Sequence, residues 1–211
     1  MEETRLSEQD TVRRNKMKDL QDKGIDPFGS RYERPATSAS IKESYSEFTK
    51  EDLEEKNVVV KIAGRIMTKR RQGKIGFMHI QDRYGQLQIF LKLDLLGEEQ
   101  YELFKVSDIG DIVGIEGTVM KTQTGELSVR ASVYTHLTKA LKPLPEKFHG
   151  LTDKEERYRR RYVDLIMNDE ARKIALTRPR IIRAMQNYFD NLGFIEVETP
   201  VLTNIQGGAT A

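Results

Sequence analysis

The 211-residue sequence predicts an α+β protein, helical at both ends, with a five-stranded β-barrel between. Three observations carry that prediction. From Val58 to Tyr134 apolar residues recur mostly at every second position, in five short runs divided by turn-forming residues. Within that region Leu95–Val106 has helical spacing instead, in Leu96, Leu103 and Phe104. On either side, residues 7–23 and the stretch after Asn168 carry helix caps and helical apolar spacing.

Composition narrows the function classes. Hydrophobic residues make up 37% and charged residues 32%, which suits a soluble protein with charged helices. The net charge of +2 supports no nucleic-acid claim by itself. Without cysteine there is no disulfide, thiol chemistry or Cys-based zinc site, and His79, His136 and His149 are too scattered for a metal cluster. No run approaches the roughly 18–20 apolar residues of a membrane helix. The acidic N-terminus lacks the basic and apolar regions of a secretory signal, so a soluble cytoplasmic protein is the default expectation.

In chain order, Ser7 caps a helix that Gly24 closes before Pro27. Its apolar positions are few (Val12, Met17, Leu20), so light docking is expected. Arg13, Arg14, Lys16 and Lys18 form either a solvated face or a phosphate contact. Residues 25–49 mix proline, serine and charge and are expected to be an irregular connector; Thr49 then caps a short acidic helical turn. The first strand, from Val58, has Val58, Val60, Ile62 and Ile66 on one parity.

The next two strands form a hairpin, Gly73–Leu91, around a four-residue loop, Asp82–Gly85, with glycine at a position where a left-handed residue is often needed. An even loop puts Met78 and Ile80 on the same face as Leu87, Ile89 and Leu91. Phe77, His79, Gln88 and Phe90 share the other face, aromatics among uncharged hydrogen-bonding groups. That face suits either the reading of bases or a covering element. The helix at Leu95–Val106 follows, then a strand from Asp111 to Met120, the turn Thr122–Gly125, and a fifth strand from Glu126 to Tyr134 with Leu127, Val129, Ala131 and Val133 inward. Five strands with a helix between the third and fourth match the order of an OB-fold, whose strand two–three face is its usual ligand side. An SH3-like barrel explains the position of the helix less well.

Lys139–Gly150 has two prolines and a glycine and is a linker. Thr152 and Glu155 form a capping-box pattern for a helix carrying Arg157, Arg159, Arg160 and Arg161 around Tyr158 and Tyr162. Those arginines either stack on the tyrosines or face RNA phosphates. Pro179 is expected to break the following helix near Arg178, with a fresh helix starting at Pro179. Ile181, Ile182, Met185, Tyr188, Phe189 and Leu192 form its apolar stripe, and a strand, FIEVETPVL, is expected after Gly193. Glu196 and Glu198 lie on that segment without an acid–base partner. One helix, one strand and a glycine loop have no core to close on, so the chain is expected to be truncated.

At this point a resemblance enters. Arg178–Leu202, RPRIIRAMQNYFDNLGFIEVETPVL, resembles motif 1 of class II aminoacyl-tRNA synthetases, with Pro200 as the family's proline. An OB-fold before it resembles the subclass for lysine, aspartate or asparagine. GIDPFGSRYER, TKALKPLPEKFHGLTDKEERYRRRYVDL and the closing GGATA look like the bacterial-type lysyl enzymes. The resemblance spans essentially the whole chain. It implies a helical extension at 1–56, an anticodon-binding OB-fold at 57–138, a linker at 139–152, and at 153–211 the truncated start of an antiparallel α/β catalytic domain.

The same resemblance implies that Phe77 stacks on an anticodon base, and that Gln88 and Glu126 hydrogen-bond a uridine. It implies that Gly207, Gly208 and Ala209 line an amino-acid and adenylate pocket. Pro200, Ile181, Met185 and Phe189 would serve a homodimer interface. The implied partners are tRNA(Lys), lysine and ATP, with Mg2+ for the complete enzyme. The arginine-bearing motifs 2 and 3 and the magnesium ligands do not occur in this sequence, so no catalytic residue is assigned and the 211 residues alone are expected to be inactive. A stand-alone RNA-binding module and a non-catalytic dimerisation fragment are the alternatives.

Overall fold

The computed structural model describes residues 7–29, 31–145, 151 and 153–202. The chain divides into two compact units, Met1–Leu144 and Pro145–Ala211. In the first, three short helices precede the strands: α1 (Glu8–Asp22), α2 (Ser38–Tyr45) and α3 (Lys50–Lys56). Then come β1 (Val59–Gln72), β2 (Ile75–Gln81), β3 (Gln86–Lys92), α4 (Leu93–Val106), β4 (Ile112–Lys121) and β5 (Leu127–Thr138). The strands close in the order β1-β2-β3-β5-β4, with β1 pairing both β2 and β4. All neighbours are antiparallel except β3 and β5, which run parallel over Gln88–Ser128, Ile89–Val129 and Phe90–Arg130.

Alternation puts Ile62, Ile66, Met78, Ile80, Leu87, Ile89, Leu91, Val113, Ile115 and Val129 inside, each essentially without exposure. Burying one such side chain contributes about 1.5–3 kcal/mol, so this set dominates the barrel's stability. Helix α4 adds Phe104, whose ring lies 5.5 Å from Tyr101 and 6.2 Å from Tyr134. Gly97, at φ 76°, kinks the start of α4 where a Cβ would be strained.

Several expectations need correction. Val133 points outward and Tyr134 inward, because a bulge opposite Glu116 and Gly117 skips Ser132 and inverts the parity of the rest of β5. Gly85 has φ 158°, nearly extended; the loop is held by Asp82, whose carboxylate accepts from the backbone N–H of Tyr84 and Gly85. The connector at 25–49 contains α2, capped reciprocally by Thr37 and Ser40. Its first residue, Ser38, is buried and donates through its N–H and hydroxyl to Asp82, which ties α2 to the β2–β3 loop.

Helix α1 docks through its basic residues as well as through Leu20, which is buried. Arg13 donates to the carbonyls of Ala140 and Ile109, and Lys16 donates to Asp108 at 2.6 Å. These side chains meet a buried ionic cluster. Lys139, only 1% exposed, contacts Asp108 at 2.7 Å and Asp111 at 2.8 Å. Burial alone would raise the Asp108 pKa, but hydrogen bonds and charge from Lys139 and Lys16 outweigh it and hold that carboxyl below its usual range. Beside the cluster, Lys69 donates to the carbonyls of Phe104, Lys105 and Ser107 at the end of α4, and burial pushes its pKa down to about 8.

The second unit has α5 (Lys154–Arg159), α6 (Arg161–Met167) and α7 (Asp169–Asn191). Asp153 caps α5; Thr152, the expected cap, lies outside the described residues. Arg157 and Arg161 grip the buried Asp164 at 2.9 and 2.6 Å, and Arg161 also lies over the Tyr158 ring. Arg159 and Arg160 pair with Glu155 and Glu156 one turn away. Helix α7 runs through Pro179 instead of restarting there. Good helix formers on both sides of Pro179 let a 23-residue helix absorb one missing donor. No strand forms over Phe194–Leu202, where the backbone finds no ladder partner among the described residues.

Candidate nucleic-acid interface

The outer face of β2 and β3 opens into a groove of about 1270 Å³. Phe77, Phe90 and Gln88 form part of its wall, Glu126 and Thr122 come from the β4–β5 turn, and Arg70, Arg71, Lys92 and Arg130 supply positive charge. Cross-strand pairing sets Phe77 opposite Phe90, with ring centroids 5.2 Å apart. The Arg70 guanidinium lies 5.2 Å from the Phe77 ring centroid, so cation and aromatic surface are offered together.

The structure brings Phe77, Gln88 and Glu126 to one groove. Gln88 lies opposite His79 on the hairpin and beside Ser128 across the parallel β3–β5 pairing. Only 3% exposed, it donates through Nε2 to Glu126 Oε2 at 2.6 Å, while its Oε1 accepts from Ser128 at 2.9 Å. These contacts fix the amide's orientation. One N–H of Gln88 and spare lone pairs of Glu126 remain, a donor beside an acceptor. A base edge with an acceptor next to a donor fits such a pair.

His79, on the same face as Phe77 and Gln88, joins this constellation. Its Nδ1 lies 2.8 Å from Thr68 Oγ1 and its Nε2 lies 3.1 Å from Glu126 Oε1. Sequence reasoning missed both Thr68 and Ser128. Parity placed His79 on this face, but Thr68 is aimed by a register shift in β1, and Ser128 is brought in by a pairing of distant strands.

The other candidates are placed differently. Gly207, Gly208 and Ala209 lie outside the described residues. Ile181, Met185 and Phe189 stand exposed on α7, and Pro200 is exposed beyond it. Glu196 accepts from the Gln186 side chain. Among the described residues, no three of His, Asp and Glu are grouped so as to hold a metal ion, so the implied Mg2+ finds no fitting ligand set there.

Comparison with known proteins matches this architecture. Residues 60–137 match the family model of the OB-fold nucleic acid binding domain, and residues 153–211 match that of the class II tRNA synthetases (D, K and N). The chain is 56% identical over 206 residues to the lysine–tRNA ligase of Streptococcus mutans, covering 98% of this chain. It is 56% identical over 211 residues to that of Bacillus cytotoxicus and 54% to that of Bacillus cereus, covering all of this chain. In each case the match spans 42% of the relative's length. With an OB-fold followed by a class II segment, and identity running along the whole chain, this protein belongs to the lysyl-tRNA synthetase family and corresponds to its N-terminal portion.

Proposed function

We propose that the β2–β3 groove recognises the uridine-rich anticodon of tRNA(Lys), and that the complete protein activates lysine with ATP and transfers it to that tRNA. One observation carries the reading: Phe77, Gln88 and Glu126 meet in a single basic-rimmed groove on the ligand side of an OB-fold. Stacking on Phe77 contributes about 1–3 kcal/mol for any base, so discrimination falls to hydrogen bonds at the base edge. Uracil has an N3–H flanked by carbonyls. Glu126 accepts from that N3–H and Gln88 donates to a neighbouring carbonyl.

The test is binding of stem-loop RNAs with and without uridine in the loop. Phe77→Ala weakens all loops, by about tenfold if the stacking contribution is near 1.4 kcal/mol. Gln88→Ala mainly erases the preference for uridine. Equal affinity of the wild-type chain for both loops overturns the assignment. The 211 residues alone give no lysine-dependent ATP–pyrophosphate exchange, since the cationic motifs that hold the phosphates are not among them.

We assign the exposed stripe of α7, with Ile181, Met185 and Phe189, and Pro200 to a homodimer surface. Gly207, Gly208 and Ala209 we assign to the amino-acid and adenylate pocket of the complete enzyme. We assign residues 1–56 to a helical extension, 57–138 to the anticodon-binding OB-fold, 139–152 to a linker and 153–211 to the start of the catalytic domain. The cytoplasm is the proposed location; no helix among the described residues is long and apolar enough to cross a membrane.

A further inference from the structure

We infer that His79 is a positioning residue for base discrimination: it holds the Glu126 carboxylate in the orientation that Gln88 requires, and so sets the groove's preference for uridine. This rests on the reading of the β2–β3 groove as the anticodon site. It assigns a role to His79 and Thr68 that neither base stacking nor the amide–carboxylate pair supplies.

The argument starts from donors and acceptors. A carboxylate only accepts, so the 3.1 Å contact requires a hydrogen on His79 Nε2. In neutral imidazole Nδ1 is then the acceptor, and the Thr68 hydroxyl 2.8 Å away donates to it. With the ring neutral, the chain of bonds has one direction. Thr68 donates to His79, His79 to Glu126 Oε1, Gln88 to Glu126 Oε2, and Ser128 to Gln88 Oε1.

Glu126 needs that support. It precedes β5, at the end of the Thr122–Gly125 turn, and its side chain is half exposed. His79, in contrast, is on a paired strand, and Thr68 reaches it from the bulged stretch of β1. Two strands thus fix a carboxylate carried by a turn. A free Glu126 would swing among rotamers and accept a cytosine amino group as readily as a uracil N3–H. With one oxygen tied to His79 and the other to Gln88, its remaining lone pairs have fixed directions.

The test combines a tautomer measurement with a specificity ratio. Long-range 1H–15N NMR of the free 211-residue chain is expected to show a proton on His79 Nε2; an Nε2 without a proton overturns the inference without touching the anticodon reading. Affinities are then measured for paired stem-loops differing by uridine or cytidine at one loop position. His79→Phe is expected to lower the uridine/cytidine ratio roughly three- to tenfold, within the range of couplings between hydrogen-bonded neighbours. His79→Gln, which keeps an N–H donor, is expected to restore most of the ratio. In a Glu126→Gln background His79→Phe is expected to change the ratio no further.

A merely structural His79 would lower thermal stability and bind both loops more weakly with the ratio unchanged, and that result overturns the inference. A wild-type chain with no uridine preference defeats the anticodon reading instead, so the two failures are distinguishable.

Discussion

The two units handle apolar surface in opposite ways. In the barrel unit Phe104 is fully buried between Tyr101 and Tyr134. In the helical unit Phe189 is 48% exposed, and Ile181, Met185, Tyr188 and Leu192 are exposed with it. A closed barrel covers its own core because each strand finds two neighbours. A long amphipathic helix with two short companions leaves most of its apolar stripe open. A stripe of that kind suits the homodimer surface proposed above.

The largest expected effects fall in the barrel. Phe104→Ala is expected to lower its stability by about 3–5 kcal/mol, measured by urea unfolding with circular dichroism. Asp111→Ala is expected to cost a similar amount, about 3–5 kcal/mol, because it strips Lys139 of a buried partner. A loss below about 1 kcal/mol for either would mean that the barrel and its ionic cluster are not the stable part of the chain.

An intermediate effect separates the helices. Pro179→Ala restores a donor in the middle of α7 and is expected to favour the helix by up to about 3 kcal/mol, read as slowed hydrogen exchange around Ala175–Arg183. Unchanged exchange would show that α7 is held by something other than its own ladder.

Smaller still is the pH response of Lys69. Its folded pKa of about 8 lies below the unfolded value of 10.5. Below about pH 8 the amine is protonated in both states and the burial penalty is fully present. As pH rises from about 8 towards 10.5 the unfolded chain keeps a proton that the folded chain has released, so stability rises. Denaturant midpoints are expected to be higher at about pH 9.5 than at about pH 7.5, with the slope reduced in Lys69→Met. A midpoint that falls over this window in the wild type contradicts the buried setting.

The smallest effect is expected at Phe189. Phe189→Glu should leave the unfolding midpoint within about 0.5 kcal/mol of wild type while abolishing any self-association seen by sedimentation. A loss as large as that of Phe104→Ala would show that the stripe is packed within the chain.

How much of this was legible in the sequence depends on the range of the signal. The Ser7 and Thr49 caps, the hairpin around Asp82–Gly85 and the inward set of Met78, Ile80, Leu87, Ile89 and Leu91 follow from patterns within a few residues. Local parity failed at Val133 because a bulge set by the β4 partner changed it. It failed at Pro179 because helix formers on both sides outweighed one breaker. The docking of α1 through Arg13 and Lys16 was hidden because a basic residue has the same local pattern whether it meets water or a carboxylate more than ninety positions away.

By itself the sequence determined the strand order, the shared face of Phe77 and Gln88, and membership of the lysyl-tRNA synthetase family. Motif spacing is a local property, and the side-chain period of a strand is local wherever no bulge intervenes. Only the tertiary structure decided that Glu126 reaches Gln88, that Ser128 sets its amide, and that Thr68 and His79 lock the carboxylate. Those bonds join β1, β2, β3, β5 and the turn before β5. Hydrogen bonds between distant residues depend on angstrom-scale closure of the barrel, which no window of neighbouring residues encodes.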